Sequence, residues 1–395
     1  MSSDAHALSG LAGRAERLRE GRPKIAIATA GRFWLLDLAR ELIALGHDVT
    51  FYSMLPDRRC EKFGLDRRHC RSVLPSVAPM LAWEHFWPKL APSLRERLFF
   101  QALNRAIIAR LEPCDLFIGV SGGILEAACH ARRAFDAKVF IERGSTHILA
   151  QAEVLAAAGA PGPSQFTIDR ELRGYAMADR IVVPAKHGSE SFDRDPGASA
   201  KLFWNPYGVD LAHFPKRSTR HQGAPTVLMV GGWLHRKGVD ILTAAMQQLP
   251  DARLVHVGGL GDVPFPNNPR MIHHDSVDQT KLSPFYQEAD VFVLPSREDG
   301  LGMVILQALA TGLPVVFSDG TGGRDLRFSE TLSRRMDEVP AGDVDALAQA
   351  IRKRLDARHE LPDISDEDRY LLSWERYARH YVPLIRQTFT ADAAS

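Results

Sequence analysis

The sequence predicts an α/β protein of two doubly wound parallel-sheet domains, and three observations carry that prediction. The chain has 395 residues, too many for one hydrophobic core and enough for two. From Lys24 onward, short apolar runs of strand length alternate with segments of helical periodicity. A polar, Pro- and Gly-containing stretch at about residues 215–225 interrupts the alternation, which then restarts.

The elements follow in order. Residues 1–22 read as an N-terminal extension without an apolar run of signal-peptide length. Residues 24–29 (KIAIAT) form a buried strand, Ala30-Gly31 a turn, and residues 33–45 a helix stopped by Gly46. Residues 47–52 are the next strand, and a βαβ unit of this kind requires a parallel sheet. Strands at 115–120, 138–141, 180–183 and 201–204 extend it, so residues 23–214 make the first domain. Strands at 226–230, 253–257, 291–294 and 315–317 build the second, over 215–372. Residues 373–395 contain a last helix, 373–389, which Pro383 is expected to kink. In doubly wound sheets ligands lie beyond the carboxyl ends of the strands, so functional residues are expected immediately after them.

Composition narrows the function. The 49 basic and 48 acidic side chains leave a formal charge of +1, so no nucleic-acid partner is expected. Cys60, Cys70, Cys114 and Cys129 form neither a C-x-x-C pair nor a zinc-ligand spacing, which predicts free thiols in a cytoplasmic setting. No run is long and apolar enough to span a bilayer.

Three post-strand loops could do chemistry. In VGGWLHRKGV (230–239) Gly232 lets the backbone approach a ligand, and Arg236 and Lys237 precede a helix start that favours an anion. The loop suits a diphosphate; its plainer reading is a solvated basic turn. In PSREDGLG (295–302) Glu298 and Asp299 precede Gly300, Leu301 and Gly302, whose amides point toward the helix that opens at Met303. Gln307 lies inside that apolar helix and needs a partner, either a bound ribose or a core hydrogen bond. VGGLGD (257–262), with Gly259, is a secondary part of the same cleft. Asp343-Val344-Asp345 has the spacing of a metal site but sits where it caps the helix at 345–355, so no metal is expected.

Residues 83–110 carry Lys89, Arg95, Arg97, Arg105 and Arg110 against Glu96, with Trp83, Phe86 and Trp87 upstream. This pattern fits peripheral contact with an anionic membrane or a packed helix with a solvated basic face.

The order GG…RKG and then PSREDGLG…ALATGLPVV resembles the group 1 (family 4) glycosyltransferases, as do YAMADRIVVPAKH (175–187), NPYGVDLAHF (205–214) and the opening βαβ unit. The resemblance implies the GT-B fold, with a cleft between two Rossmann-like domains and a C-terminal helix crossing back to the first. It implies a retaining transfer from a nucleotide-sugar donor, UDP- or GDP-linked, to a glycan or lipid-linked acceptor in polysaccharide or glycoconjugate assembly, without a cofactor. By position, Arg236 and Lys237 match the pair that binds the donor diphosphate. Asp299 and Gln307 stand where the family has its two glutamates of E-x7-E, and both differ from glutamate. Gly300, Leu301, Gly302 and Met303 match the loop whose amides hold the sugar, and Gly31 matches the glycine loop facing the phosphates. The family's first-domain histidine corresponds to His147 in ERGSTHILAQ, with Glu142, Arg143 and Ser145 beside it on the acceptor side. The alternative for His147 is a helix N-terminal residue without a ligand. The implied catalytic set is then His147, Arg236, Lys237 and Asp299.

Three other functions fit parts of this pattern. They are a nucleotide-sugar epimerase or hydrolase, a phosphorylase with a lysine-bound pyridoxal group, and a catalytically silent nucleotide-sugar-binding subunit. The Asp299/Gln307 departure is what favours the silent subunit.

Overall fold

Thirteen parallel strands are arranged in two sheets in the computed structural model, which describes residues 14, 17, 18, 20–86, 92–217, 223–358 and 360–390 and, for 83–86, the backbone alone. The first sheet comprises β1 (Lys24–Ala28), β2 (Asp48–Ser53), β3 (Cys70–Ser72), β4 (Leu116–Val120), β5 (Lys138–Glu142), β6 (Arg180–Val183) and β7 (Leu202–Trp204). The second comprises β8 (Thr226–Val230), β9 (Arg253–Val257), β10 (Met271–His274), β11 (Val291–Leu294), β12 (Val315–Ser318) and β13 (Met336–Val339). Their orders are β3-β2-β1-β4-β5-β6-β7 and β10-β9-β8-β11-β12-β13. This is the GT-B architecture, two doubly wound units in one chain.

Burial explains the strands that sequence periodicity finds. Central strands of a parallel sheet are covered by helices on both faces and read as unbroken apolar runs. All of β8 (TVLMV), β11 (VFVL) and β12 (VVFS) is buried. The three unexpected strands, β3 (CRS), β10 (MIHH) and β13 (MDEV), are all edge strands, short and partly polar. Their outer sides face no neighbour, so no apolar run marks them.

In the segment 83–110, Trp87 and Lys89 lie outside the described residues, as do the side chains of Trp83 and Phe86. The helix Pro92–Ile108 buries Leu103, Asn104, Ala106 and Ile107, while Arg95, Arg97 and Arg105 are exposed. Asn104 accepts from the Ala127 amide at 3.0 Å and donates to the Gly123 carbonyl at 3.0 Å. Its C-terminal half is thus a packed helix. Among the described residues no helix is long and apolar enough to cross a membrane.

The last helix, Trp374–Thr390, runs through Pro383 and packs on the first domain. The Asn205 amide donates to the Tyr377 carbonyl at 3.1 Å, and Arg376 donates to the Pro206 and Tyr207 carbonyls at 2.6 and 2.9 Å. Its main anchor is Glu142. That carboxylate receives Trp34 Nε1 at 3.0 Å, the Tyr377 hydroxyl at 2.8 Å and the Tyr381 hydroxyl. Glu142 is therefore corrected from an acceptor-side residue to a fully buried tether of the crossover helix, because three donors from two elements close over it.

Burial raises the Glu142 carboxyl to about 7, against the pull of its three donors. The native protein then holds this proton more tightly than the unfolded chain does. Its contribution is present in full below about pH 4.5 and is lost as the pH rises through about 7. Glu142→Gln removes this titration, so the decline in melting temperature between about pH 5 and 7.5 should be shallower in the variant. Parallel declines in the two proteins would contradict the assignment.

Candidate functional site: the cleft between the sheets

Strand order selects the loops. β8 and β11 are neighbours, but the chain leaves β8 toward β9 on one side and β11 toward β12 on the other. Connections that diverge in this way open a crevice at the carboxyl ends. The loops there are 231–238 and 295–302, which hold most of the donor residues expected from the sequence.

The two loops are locked together. Gly238 has φ +68°, and a Cβ on it would lie 2.0 Å from the Pro295 carbonyl oxygen, so only glycine lets the loops touch. Arg297 donates to the His235 carbonyl at 2.8 Å and grips Asp240 through two contacts of 2.6 Å. The Arg236 guanidinium donates to the Glu298 carbonyl at 2.9 Å and lies 3.2 Å from the Glu298 carboxylate. Lys237 pairs with Asp299. Burial works against ionisation of Asp299, but Lys237, and less so Arg236, hold its carboxyl below the usual range. The turn is therefore a compensated cluster, two cations against two carboxylates, and not a solvated basic turn.

The first domain closes over this cluster. A Cβ on Gly300 would lie 1.9 Å from the Gly144 carbonyl oxygen, so the absence of a side chain permits the contact. The Ser145 hydroxyl donates to the Glu298 carboxylate, and Gln151 Nε2 reaches it at 3.4 Å. Behind Gln151, Arg143 donates to the Gln151 side-chain oxygen at 2.8 Å and pairs with Glu171 at 3.1 Å. His187 Nε2 approaches the Asp299 carbonyl at 3.0 Å, and the Lys186 amide donates to the Asp325 carboxylate at 2.5 Å. Farther along the cleft, Arg32 donates to Gln279, and Lys62 pairs with Asp278 at 2.9 Å.

Several assignments change in this geometry. His147 is 1% exposed, its Nδ1 accepts the Leu149 amide at 3.3 Å, and its ring lies 5.0 and 4.9 Å from those of Tyr175 and Phe192. Burial lowers its pKa to about 4. In this structure it is a helix N-cap packed in the first domain's core, and its Nε2 has no hydrogen-bond partner among the described residues. Arg143 is buried and committed to Glu171, Gln151 and the Thr146 carbonyl, so it supports the seam from behind. Of the acceptor-side candidates only Ser145 reaches the second domain. Gln307 takes the core option: its side-chain oxygen accepts from the buried Tyr286 hydroxyl at 2.7 Å.

Gly232 is half-buried on the 231–238 loop, and the Gly259 carbonyl accepts the neighbouring Trp233 amide at 2.8 Å. Leu301 is buried, Gly302 caps the helix Met303–Thr311, and Met303 opens it. Gly31 lies beside Arg32 on the loop after β1. Sequence reading missed Arg32, Gln151, Glu171 and His187. Arg32 and His187 lay in segments already marked by resemblance, and Gln151 ends the ERGSTHILAQ run that holds His147.

Residues 224–357 match the family model described as "Glycosyl transferases group 1". The match lies within the second domain. The sulfoquinovosyl transferase SQD2 of Arabidopsis thaliana is 30% identical over 171 residues, which cover 38% of this chain and 33% of that protein. The chain spans about half or less of the length of the curated relatives it matches. Two solved structures share the fold over nearly the whole chain. Sucrose-phosphate synthase from Thermosynechococcus elongatus superposes with a TM-score of 0.70 at 20% identity, covering 94% of this chain and 100% of that one. Anabaena HepE, solved in complex with UDP and glucose, superposes at 0.59 and 13% identity, covering 95% and 100%.

The Lys237–Asp299 pair makes a pH prediction. In the native protein the depressed Asp299 carboxyl contributes stability above the ordinary aspartate range, and that stability is lost as the pH falls through its folded value. In Lys237→Met burial prevails and the sign reverses, so stability should decline as the pH rises above about 4. Denaturant titration of both proteins between about pH 4 and 8 checks this; profiles of the same slope would contradict it.

Proposed function

We propose that the protein is a retaining glycosyltransferase that takes a sugar from a nucleoside-diphosphate donor and passes it to a glycan or lipid-linked hydroxyl. The observation that carries the reading is the pair Arg236 and Lys237 at the carboxyl ends of β8 and β11, where a doubly wound sheet binds its ligand. Guanidinium and ammonium groups have more N–H donors than Glu298 and Asp299 occupy, so a diphosphate can join the cluster. The names of the relatives support sugar transfer, and the HepE complex makes a uridine nucleotide the first donor to try.

In this reading the donor's diphosphate lies against Arg236, Lys237 and the amides of the 231–238 loop. The Leu301 amide and the Asp299 carboxylate, which accepts the Gly300 amide at 3.0 Å, face the sugar. As the bond from the anomeric carbon to the phosphate oxygen breaks, the two cations stabilise the charge that develops on the leaving group. In this reading the departing phosphate oxygen is the base that takes the proton of the incoming hydroxyl. That places the new bond on the same face as the old one and retains the anomeric configuration. The Gly144–Gly300 seam and Ser145 exclude water from the reacting centre.

Arg236→Ala and Lys237→Ala should each weaken binding of the preferred nucleoside diphosphate by roughly 10- to 100-fold, the range expected for losing a charged hydrogen bond of about 1.5–3 kcal/mol. NMR of a nucleotide-sugar panel in EDTA should show a product with retained anomeric configuration. An epimerised sugar, or binding with no turnover by any donor and acceptor, would replace this reading with one of its rivals.

A further inference from the structure

An imidazole pair lies beneath the diphosphate loop. His256 on β9 is fully buried, stands opposite His273 on β10 in the parallel register, and is flanked by Trp233 and Phe265 at ring separations of 4.9 and 5.8 Å. Its Nε2 lies 2.8 Å from the Gly231 carbonyl oxygen, and its Nδ1 lies 2.9 Å from Nδ1 of His273. A buried imidazole in an aromatic box is costly unless both nitrogens are used, and here both are.

The proton positions follow from the partners. A carbonyl oxygen can only accept, so Nε2 of His256 carries a hydrogen. Burial, with His273 and His274 nearby, lowers the His256 pKa, which keeps its ring neutral and Nδ1 bare. Nδ1 then accepts from Nδ1–H of His273, whose other nitrogen lies 3.4 Å from the exposed Asp275 carboxylate. His273, His274 and Asp275 are the titratable groups that face this ring.

The consequence falls on one peptide unit. The Gly231–Gly232 bond is trans, so its carbonyl and its N–H point in opposite directions. With the carbonyl turned inward onto His256, the Gly232 N–H is turned outward. The flanking amides bond to the Val257 and Gly259 carbonyls, but among the described residues the Gly232 amide has no backbone acceptor. Arg236 and Lys237 follow on the same loop.

We infer that His256, held in one tautomer by His273, is a positioning residue of the donor site: it fixes the Gly231–Gly232 peptide with its N–H directed at the donor's diphosphate. This inference rests on the donor-site reading above and adds two residues that the loop motifs do not contain. A positioned amide acts on the phosphates and not on the nucleoside, so the two can be separated experimentally.

The test is calorimetric titration of the full chain with UDP, GDP, ADP and dTDP and with the four corresponding nucleosides. His256→Phe should weaken the preferred diphosphate about tenfold or more and leave its nucleoside unchanged, and His256→Gln, which keeps an N–H donor, should recover most of the loss. His273→Phe, at a less buried position, should give the same split to a smaller degree, and it carries the test if His256→Phe does not fold. Equal losses for diphosphate and nucleoside, or no loss for either, would overturn the inference. A wild-type protein that binds none of the four diphosphates would overturn the donor-site reading and this inference with it.

Discussion

Glu298 carries a carboxylate that both domains use. It is 3% exposed, accepts from Ser145 and Gln151 of the first domain, and faces Arg236 of the second. A buried carboxylate without such partners would cost several kcal/mol. Its position therefore ties the seam between the domains to the conformation of the basic loop. The chain of contacts continues inward through Gln151, Arg143 and Glu171 to Ser121, at the carboxyl end of β4. Ser121 lies where β1 and β4 diverge, the switch point of the first sheet. One line of alternating charge thus joins the switch points of both sheets.

This constraint gives the cluster its chemistry. Opposing carboxylates hold Arg236 and Lys237 in place before any donor arrives, so little side-chain freedom remains to be lost on binding. The same carboxylates hold the pair electrically neutral. A diphosphate brings new negative charge to cations whose remaining donors are already oriented. Preorganised charge of this kind stabilises a leaving group without reorganisation at the moment of reaction.

Sequence reading reached the second domain more fully than the first, for a physical reason. The proposed donor residues there lie on loops joined directly to strands, so Gly232, Arg236, Lys237, Asp299 and Gly300 are within a few residues of an apolar run. The first domain contributes through side chains whose partners are remote in sequence, as with Gln151 and Glu298, 147 positions apart. Polar residues after β5 resembled an acceptor site, yet Glu142 and His147 are there for a crossover helix and a helix cap. Nothing local distinguishes a buried tether from a ligand; the difference lies in Tyr377 and Tyr381, more than two hundred residues away. The edge strands β3, β10 and β13 escaped for a related reason, since an edge needs no continuous apolar stretch.

The central claim is that the crevice at the carboxyl ends of β8 and β11 recognises a diphosphate through fixed protein charges. A thermal-shift screen of the purified chain against UDP, GDP, ADP, dTDP and CMP in EDTA tests it most directly. The account predicts that one nucleoside diphosphate, at about a hundred times its dissociation constant, stabilises the protein by roughly 2.7 kcal/mol while CMP does not. Absence of any shift across the set, or a shift only when a divalent metal is supplied, would contradict it.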